Sequence, residues 1–201
     1  MKDLASRLRA IVRDNRRELT VEPVVDGAGA YSGASAPGAL EAIASALDGT
    51  VVADDRGPCL VIDRVYDADR YHGRRRVEAC RVSPHAPVAL FEPRLAPVID
   101  WASRVVFFDI ETTGLSGGAG TIAFLVGCGW YEDDGFRVRQ WLMTGPAGER
   151  VLLDALARTL DETSLLVTFN GRTFDVPFMD MRWAFHRQSS PATEVSPTCS
   201  L

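Results

Sequence analysis

The chain has 201 residues, of which 46% are hydrophobic and 24% charged, with 17 Gly and 11 Pro. This composition excludes a collagen, a fully disordered chain, a disulfide scaffold and a long coiled coil, and no run approaches the ~18 apolar residues of a membrane span. Twenty-two basic against 27 acidic residues give a formal charge of −5, which weighs against a protein that coats nucleic acid but not against an enzyme that meets it in one groove.

The N-terminus has no secretory apolar segment. Leu4, Leu8, Ile11 and Val12 fall at helical spacing with Arg7, Arg9, Arg13, Arg16 and Arg17 opposite. They predict an amphipathic helix over residues 1–18, whose basic side is either a solvated face or a phosphate-facing patch. Residues 22–37, with Gly27, Gly29, Gly33, Pro23 and Pro37, read as a loop, and a short helix is expected from Gly38 to Leu47, ended by Asp48-Gly49. Cys59–Tyr66, Val77–Val82 and Val88–Phe91 are β-prone runs. Between the first two lies Tyr71-His72-Gly73-Arg74-Arg75-Arg76, either a solvated hairpin tip or a binder of phosphate or an acidic partner. Residues 1–99 thus read as a small N-terminal α+β region.

From Val105 the pattern becomes more decided. Val105–Ile110 is an apolar run interrupted only by Asp109, as in a buried strand. Thr121–Trp130 and Phe136–Met143 are two further strands around the turn Glu132-Asp133-Asp134-Gly135. A helix is expected over Pro146–Leu160, a strand over Leu165–Phe169, and a helix from Asp175 to about Arg187. The predicted fold class is α/β: over residues 100–188, a mixed sheet of three antiparallel strands followed by an alternating α/β unit, with flanking helices. Residues 189–201 are rich in Ser, Thr and Pro and read as a disordered tail. Cys59, Cys80, Cys128 and Cys199 form no CxxC pair and read as reduced thiols of a cytoplasmic protein. His72, His85 and His186 have no metal-set spacing, and Trp101, Trp130, Trp141 and Trp183 read as packing residues.

Chemistry concentrates in two places. In Phe107-Phe108-Asp109-Ile110-Glu111-Thr112-Thr113-Gly114-Leu115 two acids stand at i and i+2 of a strand, so Asp109 and Glu111 share a face. Two such carboxylates either hold a hard cation between them, Mg²⁺ or Mn²⁺, or mark a strand end where both reach solvent. In Leu165-Leu166-Val167-Thr168-Phe169-Asn170-Gly171-Arg172-Thr173-Phe174-Asp175 a strand runs through an Asn-Gly turn to an acid at a helix start. Asp175 is there either an N-cap or an acid reaching over the end of the sheet.

These segments resemble a known family. Asp109–Leu115 resembles the first motif of the DEDD 3′–5′ exonucleases and Asn170–Asp175 the second. The run through Gly117-Gly118-Ala119-Gly120-Thr121 and Phe124-Leu125-Val126-Gly127 is similar to bacterial YprB-like RNase H-like domain proteins. The resemblance implies an RNase H-like fold and two-metal hydrolysis of nucleic acid from a 3′ end. It implies that Asp109 bridges two ions, Mg²⁺ or Mn²⁺, that Glu111 holds the ion activating water, and that Asp175 supports the second through water. It implies that Thr112, Thr113, Gly114, Leu115, Asn170 and Phe174 meet the substrate, with Leu115 against the terminal base. The family's third motif, a further Asp with a His or Tyr, has no match after Asp175, so the expectation is a fold incomplete at its C-terminus.

Two rivals remain. The fold persists as a nucleic-acid-binding or interaction module without turnover, or Gly118-Ala119-Gly120-Thr121-Ile122-Ala123 is a G-x-G-x-x-A dinucleotide motif. The latter requires a helix immediately after the glycines.

Overall fold

The computed structural model describes residues 39–81, 104–114, 120–161, 163–169, 171, 173–191 and 198–200, all within a unit spanning Gly33–Leu201. The helix expected over 1–18, the 22–37 loop and the Val88–Phe91 run lie outside the described residues. Helix α1 (Ala39–Ala46) is followed by a turn at Leu47-Asp48, and the φ of 50° at Asp48 is a left-handed conformation that a short polar side chain tolerates. It leads into strands β1 (Thr50–Asp54) and β2 (Gly57–Asp67), an antiparallel hairpin.

Strands β3 (Tyr71–His72) and β4 (Arg75–Arg76) form a separate two-stranded hairpin. The strand expected over Val77–Val82 is replaced by a 3₁₀ turn, Glu78–Cys80. Local bonds win there: Val77 N donates to Arg70 O at 2.9 Å and Glu78 N to Ala68 O at 2.9 Å, turning the chain back on itself. A salt bridge between Arg81 and Glu78 closes the turn.

Strands β5 (Arg104–Thr112), β6 (Ala123–Glu132) and β7 (Gly135–Leu142) run antiparallel in succession. A 3₁₀ turn at Pro146–Gly148 opens α2 (Glu149–Leu160), followed by β8 (Thr163–Thr168), parallel to β5, and α3 (Asp175–Phe185). The predicted order of three antiparallel strands and an alternating unit is therefore observed, making a mixed α/β sheet with flanking helices. Strand β9 (Thr198–Ser200) adds to the free edge of β8 in parallel, where the sequence had predicted only a disordered tail. Backbone pairing at an open edge needs no apolar periodicity, which is why the composition did not show it.

The sheet order is β1-β2-β7-β6-β5-β8-β9. Strand β2 pairs with β7, Leu60 opposite Leu142 and Asp67 opposite Gly135. The division expected near residue 100 thus falls inside one continuous sheet, because a hairpin from the N-terminal region completes it. One face carries Val106, Phe108, Ile110, Val126 and Trp141 into a core shared with Leu152, Leu156, Met179 and Trp183 of α2 and α3. Helix α1 covers part of the other face through Ala44, packed on Leu60 and Ile62. The candidate site lies on that second face.

Candidate functional site

Alternation along β5 puts Val106, Phe108 and Ile110 into the core and turns Asp109 and Glu111 to the second face, where both are exposed. The partner of Asp109 on β6 is Gly127, and the partner of Gly127 on β7 is Gln140. One step along, Phe107 pairs with Gly129 and Gly129 with Val138. Two glycines thus floor a groove of about 440 Å³, with Asp109 and Glu111 on one side and Val138 and Gln140 on the other. Phe136 stands toward one end, its ring within 2.6 Å of where a Cβ at Gly129 would lie. Phe169, immediately after β8 and 71% exposed, also lines the groove.

The segment after Glu111 is held by its own hydroxyls. The β5–β6 register shifts between Glu111 and Thr112. Thr112 Oγ1 donates to Gly114 O at 3.0 Å, while Thr113 Oγ1 accepts from Ile122 N at 3.2 Å and Thr113 N donates to Ile122 O at 3.0 Å. Thr112, Thr113 and Gly114 therefore form a tied turn beside the acids. Leu115 and Asn170 lie outside the described residues.

On the other motif, Gly171 passes so close to Thr168 that a Cβ would sit 1.8 Å from its Oγ1. Thr168 lines the groove and its hydroxyl is buried with no hydrogen-bond partner among the described residues. Asp175 is the first residue of α3 and only 4% exposed; the cap position belongs to Phe174, so Asp175 is not the N-cap. A carboxylate in the first turn is still favoured by the helix dipole. Phe174 stacks on Phe178 at 5.7 Å and packs against the core between α3 and the sheet, since an aromatic ring gains more there than in water. The structure thus brings Asp109 and Glu111 together on one groove, while Asp175 and Phe174 are not among the residues that line it.

No sequence pattern marks Phe169, Gln140 or Gly127 as groove residues. Continuing the alternation of β8 past Val167 predicts the side taken by Phe169; Gln140 is placed only by cross-strand register. Nor does the sequence show the ion cluster behind the sheet. Arg182 Nε and Nη2 donate to the two oxygens of Glu149 at 2.6 and 2.5 Å, and His186 Nε2 lies 2.7 Å from Glu149 Oε2. Burial pushes the Glu149 carboxyl up, but hydrogen bonds from Arg182 and His186 prevail and hold it below the usual range. His186 is thereby committed to α2 and α3.

Two exposed carboxylates at i and i+2 suit one divalent cation that keeps most of its water. Among the described residues no three His, Cys, Asp or Glu side chains converge closely enough to enclose an ion. The residues present fit a half-open, carboxylate-paired site. The dinucleotide reading fails, because Ala123 opens strand β6 and not a helix. No helix among the described residues is long and apolar enough to cross a membrane.

Comparison with known proteins agrees with this architecture. Residues 106–196 match the profile of the RNase_H superfamily. An uncharacterized protein of Bacillus subtilis (strain 168), YprB, is 40% identical over 89 residues, which are 44% of this chain and 21% of that protein. The match thus spans about a fifth of the length of that relative. Over residues 106–196 the mixed sheet, the Asp109–Glu111 strand and the sequence match coincide, and the chain carries a YprB-like domain of the RNase H superfamily.

Proposed function

We propose that the Asp109–Glu111 groove is a metal-dependent phosphodiesterase site that removes nucleotides from the 3′ end of DNA or RNA. The observation that carries it is the pair of exposed carboxylates opening on a glycine-floored groove, within a nuclease-type fold. Asp109 and Glu111 would hold Mg²⁺ or Mn²⁺, and Asp175, buried at the start of α3, would support a second ion through water. Such ions supply positive charge against the scissile phosphate and lower the pKa of water.

The protein's own part is positional. The floor at Gly127 admits a nucleotide backbone that a side chain would exclude, while the Phe136 ring fills the space over Gly129. Phe169 offers a solvent-exposed ring beside Asp109 on which a terminal base stacks. Gln140 lines the opposite wall with an amide able to donate to a phosphate or sugar oxygen. Free Cys59, Cys80 and Cys128 suit a reducing compartment, the cytoplasm.

The lack of a three-ligand cluster among the described residues favours one second reading, a nucleic-acid-binding module without turnover. A 5′-labelled single strand of DNA or RNA separates the two. The enzyme reading expects stepwise shortening with Mn²⁺ or Mg²⁺, stopped by chelator and by a 3′-terminal phosphorothioate. An intact strand that is nonetheless bound supports the module.

A further inference from the structure

The carboxylate groove does not end at Phe136. A second cavity of about 740 Å³ lies next to it, and Phe107, Phe136 and Val138 line both. The two cavities therefore adjoin on one face of the sheet, a trough with the Phe136 ring between its two ends. Its far end is walled by the β3–β4 hairpin, the segment in which three consecutive arginines follow a His-Gly turn.

The chemistry of that far end is the opposite of the near end. Arg70, Arg75 and Arg76 line it, and no described lining residue is acidic. None of the three makes an ion pair with a described residue, in a chain whose net charge is −5. The cations are interleaved with rings. Arg70 lies over Tyr66 at 4.7 Å and Arg76 over Tyr71 at 5.3 Å, and Arg76 Nε donates to Tyr71 Oη at 3.1 Å. Tyr71 is nevertheless 59% exposed, so a large ring is left facing solvent.

The hairpin is fixed to the sheet. Tyr131 Oη donates to Val77 O at 2.8 Å, Arg81 Nη2 to Glu132 O at 2.7 Å, and Ala68 N to Asp134 O at 3.3 Å. These bonds tie the base of the hairpin to the β6–β7 turn, so the basic and aromatic groups keep a set position along the trough.

We propose that the hairpin end of the trough binds single-stranded nucleic acid without regard to sequence, gripping the strand behind the terminus presented to Asp109 and Glu111. Arg75 and Arg76 take phosphates, and Tyr71 takes a base face. The inference rests on the nuclease reading for its direction but not for its test.

Binding of a fluorescein-labelled 15-nucleotide oligothymidylate is measured by anisotropy in EDTA, where no turnover occurs, over a range of salt. Arg75→Ala, the double variant Arg75→Ala/Arg76→Ala, and Tyr71→Ala are compared with wild type, each with a thermal melt to show that it folds. The double variant is expected to bind at least about tenfold more weakly. Its log K against log salt slope should be shallower by about 1.4, since each single-strand phosphate contact contributes about 0.7. Tyr71→Ala is expected to lose about tenfold with the slope unchanged, as for a lost stacking contact. Wild-type affinity and slope in all three variants overturn the proposal, as does failure of the wild type to bind. Displacement of the oligonucleotide by polyglutamate at equal charge concentration also overturns it, in favour of an acidic protein partner. If the variants lose binding while wild type never shortens a strand with Mn²⁺, the hairpin assignment stands and the nuclease reading falls. If wild type shortens the strand and the variants bind normally, the reverse holds.

Discussion

Asp109 and Gln140 face the same side of the sheet with only Gly127 between them. A Cβ at Gly127 would lie 3.8 Å from Asp109 O and 4.0 Å from Gln140 Cγ, ordinary contact distances. The fold therefore tolerates a side chain at this position, and the open floor is a property of the groove.

Gly127→Ala and Gly127→Val should keep or slightly raise the melting temperature, because glycine in a strand costs about 0.5–1 kcal/mol relative to alanine. Both should slow strand shortening, the valine variant by at least about tenfold. Paired melts and initial rates check this. A lower melting temperature with an unchanged rate would mean that Gly127 serves the fold and not the groove.

Gly171 is the opposite case. Its missing Cβ would sit 1.8 Å from Thr168 Oγ1 and 2.6 Å from Thr168 Cβ, so neither residue has room to give. Gly171→Ala should cost about 1–3 kcal/mol of stability, as other overpacked sites do. Denaturant unfolding of the variant beside wild type reads this directly.

The buried Glu149–Arg182 pair makes stability depend on pH. The folded carboxyl is held below its ordinary value, so its contribution is complete above the unfolded pKa of ~4.3 and is lost as pH falls through the lower folded value. Melting temperature should therefore drop between about pH 5 and pH 3 by more in wild type than in Glu149→Gln. At neutral pH, Glu149→Ala should cost about 3–5 kcal/mol, because it leaves Arg182 buried and uncompensated.

What could be read without coordinates was local. The alternation from Val105 to Glu111 is enough to make a strand and to put both acids on one face. The Glu132–Gly135 turn joins two strands that pair directly, and the short αβ unit follows from periodicity alone. Contacts between distant segments were not legible. Gln140 meets the site through Gly127 only because three strands are in register. Strand β2 joins β7 from far upstream, a pairing that no local pattern before residue 100 shows. Arg182 and Glu149 stand 33 residues apart on two helices, and neither helix announces the other. At Glu78–Cys80 a turn replaces the expected strand because hydrogen bonds to Arg70 and Ala68 outweigh a weak β pattern.

The cysteines differ in reactivity for a plain reason. Burial pushes the Cys59 thiol up to about 12 and raises that of Cys128 as well, while Cys80 is exposed. Iodoacetamide on the native protein at pH 8 should label Cys80 and spare Cys59 and Cys128. Peptide mass spectrometry before and after unfolding checks the order.

The claim that Asp109 and Glu111 form a metal-dependent phosphodiesterase site meets its most direct test in one rate comparison. Mn²⁺-dependent shortening of a 5′-labelled strand is measured for wild type, Asp109→Asn and Glu111→Gln, each purified identically and shown to melt as wild type does. Both side chains are exposed, so neither substitution should disturb the fold. The predicted result is a metal-dependent wild-type rate that falls at least about 100-fold in each variant, the loss of roughly 2.7 kcal/mol of transition-state stabilisation. Equal rates in wild type and both variants would contradict it.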